Sequence, residues 1–215
     1  ILNNLIEIKN SKDAKILLAD IKRRAEQYDM ALDTYNNIID SYKGSVPDDK
    51  WYLFYSRGIV YEQLNQWDEA EADLEKALTY RPNDPYILNY LGYGWAVRDI
   101  NLSKSLEYLE KAVIELPYDG HISDSLGWTL FKLGRYQEAI GPLEKAITYL
   151  PYDSEVNEHL GDAYWMVNRK REARFQWQRA YNHLAENNDE AKEVLRMKIL
   201  KGIEDTSVIA AENKI

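Results

Sequence analysis

One four-residue string returns along this chain at a nearly constant interval. Leu74-Glu75-Lys76-Ala77 recurs as Leu109-Glu110-Lys111-Ala112 and as Leu143-Glu144-Lys145-Ala146, with a diverged fourth copy in Trp177-Gln178-Arg179-Ala180. Successive copies lie 35, 34 and 34 residues apart. A glycine keeps the same interval, at Gly58, Gly92, Gly127 and Gly161, and the first three strings each run on to a proline, at Pro82, Pro117 and Pro151. A period of this length constrains the fold more than composition can, because each unit of such an array packs mainly on its neighbours. The 215 residues are therefore read as an array, not as one or two globular domains.

The pattern resembles the tetratricopeptide repeat, in which a large residue, Leu-Gly, an aromatic, a small Ala, a large apolar residue, a second Ala and a Pro recur over about 34 residues. The clearest unit reads Leu126, Gly127, Leu130, Ala139, Leu143, Ala146 and Pro151. The next reads Leu160, Gly161, Tyr164, Ala173, Trp177 and Ala180 and lacks the proline. Residues 51–84 supply Phe54, Gly58, Tyr61, Ala70, Leu74, Ala77 and Pro82; residues 85–119 carry Ser105 at an alanine position and one extra residue in the internal turn. A weaker unit holds Leu18, Ala19, Ala31, Tyr35 and Ile38, with a longer link through Gly44 and Pro47.

The resemblance implies an all-α fold, an α-α superhelix or solenoid of about five helix-turn-helix repeats. Residues 1–10 are expected to end a preceding repeat helix, with more repeats upstream. A degenerate repeat then covers 11–50, and further repeats cover 51–84, 85–119, 120–153 and 154–184. The apolar spacing of Ala191, Val194, Leu195, Ile199 and Leu200 predicts a capping helix over 187–203. Residues 204–215 carry no clear pattern and are expected to be a disordered or loosely docked tail.

Each unit is expected to be two antiparallel helices, A and B. Glycine belongs where helix A crosses helix B too closely for a side chain. Ala70, Ala139 and Ala173 fill the facing position for the same reason, and the large residues between them fill the remaining volume. Proline cannot continue helix B, and the Asp that follows it can cap the next helix A.

Catalytic signatures are missing. No phosphate-binding glycine loop, dinucleotide fingerprint, nucleophile elbow or paired-histidine zinc motif occurs, so the chain is read as a non-enzyme without cofactor. His121, His159 and His183 lack ligand spacing; His121 and His159 fall where they could face a groove, but they are read as surface or packing residues and no metal site is assigned. With no cysteine, neither disulfides nor thiolate sites arise. A net charge of -9 argues against nucleic acid and anionic membrane as partners, and no apolar run is long enough for membrane insertion. Carboxylates such as Asp68, Glu69, Glu71 and Asp73 are read as solvated helix faces.

In this family the A helices line the inside of the superhelix. Spacing along them assigns a partner-binding concave face to Tyr52, Tyr55, Tyr86, Asn89, Tyr90, Tyr93, Asp124, Trp128, Phe131, Glu158, Asp162 and Trp165. Seventeen Tyr and 6 Trp against 3 Phe suit half-exposed walls, where one edge of a ring meets water. Tyr55, Tyr93, Trp128 and Trp165 are expected to open to the groove, whereas Tyr90 and Phe131 are equally well read as packing between A helices. Repeat proteins that grip the acidic C-termini of chaperones place Lys, Arg and Asn on this face. Here Tyr55, Ile59, Tyr90, His121 and Ser125 stand at those places, so that clamp is absent. An aromatic, acidic groove should prefer extended segments with apolar and basic side chains. The cluster Arg169, Lys170, Arg171, Arg174 and Arg179 is read as a solvated outer face, or alternatively as a second contact site for an acidic partner or the tail.

Residues 124–180 bear a narrower resemblance. Asp-Ser-Leu-Gly-Trp at 124–128, Leu-Gly-Arg-Tyr at 133–136, His-Leu-Gly-Asp-Ala at 159–163 and Arg-Lys-Arg-Glu-Ala-Arg-Phe-Gln-Trp at 169–177 are similar to the C-terminal repeats of long, mainly proteobacterial tetratricopeptide-repeat proteins, typically exported, some as outer-membrane lipoproteins. That resemblance implies a periplasmic or outer-membrane-associated adaptor, of the kind that brings a carboxyl-terminal processing protease to its cell-wall hydrolase substrates; the composition is equally compatible with a cytoplasmic protein. The function expected is therefore a protein- or peptide-binding scaffold. The alternatives are a regulatory or oligomerisation arm of a larger enzyme, and a self-associating homo-oligomeric module.

Overall fold

A computed structural model describes residues 11–185 and 187–203; the expectations for 1–10 and 204–215 lie outside the described residues. Among the described residues every regular element is helical. In chain order these are α1 (Lys12–Arg24), α2 (Tyr28–Asp40), α3 (Tyr52–Gln63), α4 (Trp67–Tyr80), α5 (Pro85–Val97), α6 (Leu102–Glu115), α7 (Gly120–Lys132), α8 (Tyr136–Tyr149), α9 (Ser154–Met166), α10 (Lys170–His183) and α11 (Asp189–Lys201), with a short 3-10 turn at Asp48–Lys50. The chain divides into two units, residues 1–87 and 88–215, and the boundary falls within α5. In the first unit α1 packs on α2, α2 on α3 and α3 on α4. In the second, α6 packs on α7, α7 on α8, α8 on α9, α9 on α10 and α10 on α11, while α7 also meets α9.

Two local devices set the helix ends. Each turn from an A helix to its B helix contains one left-handed residue: Glu26, Asn65, Asp99, Gly134 and Asn168, with φ of 58, 57, 55, 74 and 65°. Small polar residues and glycine tolerate this conformation best. The next N–H then reaches back five residues, as in Gln66 to Tyr61, Arg135 to Leu130 and Arg169 to Tyr164, at 2.8 to 2.9 Å. This closes the A helix and aims the B helix back along it. The α5–α6 turn holds a second left-handed residue, Asn101 at φ 48°, where the sequence has its extra residue. From B helix to the next A helix the proline ends one helix and the aspartate opens another. The Asp84 carboxylate accepts from Tyr86 and Ile87, Asp119 from His121 and Ile122, and Asp153 from Val156.

Between those ends the pair is locked at its glycine. A Cβ on Gly127 would lie 2.5 Å from Leu143 Cγ and 3.2 Å from the Ala139 carbonyl oxygen; one on Gly161 would lie 2.4 Å from the Trp177 ring. Leu109 meets Gly92, and Leu74 meets Gly58, in the same way. Leu74, Leu109, Leu143 and Trp177 are all fully buried, so each large B-helix side chain is seated against bare A-helix backbone. Ser105, the departure from alanine, keeps its hydroxyl satisfied by donating to the Gly92 carbonyl at 2.7 Å and lying 3.0 Å from Thr129 Oγ1.

One carboxylate read as solvated is not. Asp73 is buried and takes a two-pronged contact from the Arg57 guanidinium, Nε to Oδ2 at 2.6 Å and Nη2 to Oδ1 at 2.8 Å, while Nη1 of the same arginine donates to Asn36. It ties α3 to α4 and to α2 in the first unit, a role that helical spacing alone does not reveal.

Gly127→Ala is expected to destabilise the second unit by about 2 kcal/mol, because Leu143 has no room to retreat. Urea unfolding followed by far-UV circular dichroism measures it; a midpoint equal to that of the parent would contradict the packing described.

Candidate functional site

Nine of the twelve residues assigned to the concave face lie in the second unit, on α5, α7 and α9. Tyr52, Tyr55 and Tyr86 belong to the first. Tyr52 and Tyr55 are half-buried around Trp51, with ring centroids 6.3 and 6.1 Å away, and Tyr86 is 51% exposed at the start of α5.

In the second unit the centre of the face is a stack of rings. The His159 imidazole on α9 lies flat against Trp128 on α7, centroids 4.0 Å apart and planes 13° off parallel. Trp128 also stacks on Phe131, at 4.8 Å and 6°, and Phe131 meets Tyr136 at 5.1 Å. Trp128 and Phe131 are thus half-buried, held by other rings, rather than open groove anchors. Behind the stack the buried Asp124 carboxylate receives His159 Nδ1, 3.1 and 3.0 Å from its two oxygens. Burial works against a charge on His159, but the Asp124 carboxylate outweighs it, so the imidazole pKa lies above its ordinary 6.5. In front, Nε2 stands 3.9 Å from Glu155 Oε1, and the Tyr93 hydroxyl on α5 donates to that same oxygen. Tyr90 and Asn89 are half-buried beside Tyr93 on α5, and the Asn89 side-chain oxygen is buried with no donor.

The far end of the face is closed. Trp165 was expected to open to a groove, but it is 8% exposed. Gly202, just past α11, adopts φ 92°, and a Cβ there would lie 2.0 Å from the Trp165 ring; Lys170 caps that ring at 3.6 Å and Trp177 packs against it at 5.2 Å. Asp162 is likewise buried, accepting from Trp177 Nε1 at 2.8 Å and from Lys198 of α11 at 2.9 and 2.8 Å. Lys198 also donates to Glu158 at 2.7 Å. Burial disfavours the Lys198 ammonium, yet the two carboxylates around it raise its pKa above 10.5 and keep it charged. Burial raises the Asp162 carboxyl above the ordinary 3.8 despite that lysine, since two acids share one cation. Glu158, Asp162 and Trp165 are therefore the seat of α11, because the last A helix has another helix lying on it. A lysine within the apolar stripe of α11, one repeat beyond two acids, is the sequence signal for this contact.

The basic cluster is neither a bare solvated face nor a free second site. Lys170 donates to the Trp165 carbonyl, Arg174 to the Ile199 carbonyl, Arg179 to Asn157 and the Pro151 carbonyl, and Arg169 to Glu144 and Glu172. Four of its five residues hold α10 to its neighbours.

The repeated helix pairs, their glycine crossings and their aspartate caps define a helical-repeat protein of the interaction-module class. The tetratricopeptide-repeat family matches residues 51–84 and, in a second form, residues 125–191. These matches, with a TPR-containing relative, support the tetratricopeptide-repeat reading of the chain. A curated relative, the TPR repeat-containing protein PA4667 of Pseudomonas aeruginosa, is 32% identical over 87 residues, which make up 40% of this chain and 15% of that relative. Among solved structures, PilW, a widely conserved type IV pilus biogenesis factor, shares the fold with a TM-score of 0.72 at 18% identity, over 94% of this chain and 91% of its own. PilF of Pseudomonas aeruginosa gives 0.68 at 15% identity, over 95% and 99%. MamA of Desulfovibrio magneticus gives 0.66 at 18% identity, over 81% and 95%. At these identities the likeness is one of fold.

Two outcomes follow from the charges. Lys198→Met leaves Glu158 and the buried Asp162 without their cation and should cost about 3 kcal/mol, read as lost amide protection of α11 in hydrogen exchange; unchanged protection would show that the ion pairs do not hold α11. Because the folded pKa of His159 is raised, its contribution to stability is complete below pH 6.5 and is lost as pH rises through the folded value. His159→Gln should flatten that decline in urea midpoints, and identical slopes in parent and variant would contradict the pairing with Asp124.

Proposed function

We propose that this chain is a non-catalytic adaptor that holds a protein or peptide segment against the α5, α7 and α9 face of its second unit. The observation that carries the reading is the cross-helix lattice of Tyr93, Glu155, His159, Asp124 and Trp128. These side chains come from three A helices and fix one another, so the face is rigid before any partner arrives. Rigid, half-exposed aromatic and polar groups lose little entropy on binding, which is what a hot spot requires. The tetratricopeptide-repeat reading supports a protein or peptide as the partner. The narrower resemblance of residues 124–180, together with the relative from Pseudomonas aeruginosa, favours a bacterial cell-envelope setting. There the chain would serve as a periplasmic adaptor between a carboxyl-terminal processing protease and its cell-wall hydrolase substrates. The match spans a small part of that relative, so this role is proposed for the chain on its own residues.

Placing a photo-crosslinking amino acid at His121, exposed at the start of α7, tests the face directly. Irradiation in the source cell should give partner adducts from position 121 and few from Ile114, which is 75% exposed on α6. Equal labelling from both positions, or labelling from 114 alone, would place the contact elsewhere.

A further inference from the structure

The acids of the second unit's face are not alike. Asp124 is matched by His159, and Glu158 and Asp162 by Lys198. Each of these cations comes from the next A-type helix along, so those charges are spent on holding the stack together. Glu155 is different. Its side chain is 62% exposed, and among the described residues no Lys or Arg pairs with it. It is nevertheless held in place. The Tyr93 hydroxyl, 62 residues earlier in the chain, donates to its Oε1, and His159 Nε2 approaches the same oxygen at 3.9 Å. Both contacts fall on Oε1, which leaves Oε2 as the acceptor that neither anchor uses. The imidazole cannot neutralise the carboxylate fully, since its other nitrogen is already engaged by both oxygens of Asp124. Beside the carboxylate stand Tyr93 and the His159 ring, which is itself stacked on Trp128.

A carboxylate with one free oxygen beside aromatic rings is a receptor for a compact cation. The geometry separates the two cationic side chains. A guanidinium binds a carboxylate best through two parallel hydrogen bonds, for which both oxygens must be available; an ammonium needs only one. We infer that Glu155, positioned by Tyr93, is a lysine seat, and that the segment bound on this face presents a lysine side chain to it. This rests on the adaptor reading and names the partner's recognition chemistry. Lys198 on α11 shows the same chemistry inside the molecule, an ammonium set between carboxylates at 2.7 and 2.8 Å. In a chain of net charge -9, a positively charged partner segment is also the one drawn in at long range.

The probe is a random-peptide phage library panned on the whole chain, with selected sequences resynthesised and titrated by calorimetry. Three variants accompany it. Glu155→Gln keeps an acceptor for Tyr93 and removes only the charge, so its melting temperature should match the parent's. Tyr93→Phe frees the carboxylate to wander. Tyr90→Ala, checked for folding by circular dichroism, weakens the wall while leaving the Glu155 carboxylate and the Tyr93 hydroxyl in place. The expected result is a set of peptides sharing a lysine. Their affinity should fall about tenfold in Glu155→Gln or on acetylation of that lysine, should fall less in Tyr93→Phe, and should drop with added salt. Peptides that lose affinity in Tyr90→Ala but bind Glu155→Gln as tightly as the parent would overturn the lysine seat and leave the adaptor face standing. Peptides indifferent to every variant, or a selection that returns no lysine-dependent binder, would overturn the seat; indifference to Tyr90→Ala would also count against the face itself.

Discussion

The bare backbone at one point of each A helix is the constraint on which the rest of this structure depends. Gly92, Gly127 and Gly161 let the large B-helix residue, Leu109, Leu143 or Trp177, seat against the A helix itself. Helices packed that closely cannot slide, because the seated side chain is fixed on all sides. The spacing of one pair then sets where the next A helix stands, and that spacing is what brings side chains from different repeats together. Tyr93 reaches Glu155 from α5 to α9, and the Trp128 and His159 rings meet at 4.0 Å between α7 and α9. A methyl group at Gly127 would move α7 relative to α8 and, through α8, relative to α9. The candidate site is therefore a consequence of the repeat's glycines, although no glycine lines it.

Charge is the second ordering principle, and it works differently in the two units. In the first, Arg57 and Asp73 form a two-pronged pair that locks α3 to α4 and draws in Asn36 of α2. In the second, acids on one A helix are answered by bases on the next: Asp124 by His159, then Glu158 and Asp162 by Lys198. Each pair is largely buried and so is worth more as a device for register than as net stability, since desolvation offsets much of the attraction. The consequence for function is that the last A helix is covered from Glu158 to Trp165, while Glu155 at its start stays exposed. α11 lies on the covered stretch, with Leu195 in the core and Gly202 on Trp165.

How much of this was legible in the sequence depends on the length scale of the interaction. The helix pairs, the glycine crossings and the aspartate caps were legible because each is set by residue type at a fixed spacing within one repeat. The extra residue in the α5–α6 turn was legible for the same reason. The left-handed turn residues were not singled out, although Asn65, Gly134 and Asn168 are the residue types that tolerate that conformation. What could not be read was which wall residues stay open, because that depends on contacts between repeats. Helical spacing placed Asp162 and Trp165 on the inner face but carried no information on what lies over them. Helical spacing likewise predicts an open Trp128, whereas its neighbours Phe131 and His159 stack against it. The basic run on α10 misled for a related reason, since a row of charges on an outer helix looks the same whether it meets water or the carbonyls of α9 and α11.

These distinctions bear on selectivity. A polar group whose hydrogen-bonding capacity is filled by its neighbours offers a partner shape but little discrimination, because a wrong partner leaves nothing unpaired. Discrimination comes from groups that are fixed in position yet retain an open valence. On the second unit's face Asp124, Glu158 and Asp162 are filled, and they serve as frame. Glu155 is fixed at one oxygen and open at the other. A family that reuses one backbone for many partners can thus change specificity at a few partly satisfied positions while leaving glycines, alanines and inter-repeat ion pairs untouched. If Glu155 is the lysine seat, its positioned carboxylate and the lack of clamp cations at Tyr90, His121 and Ser125 both suit this face to positive, not negative, side chains.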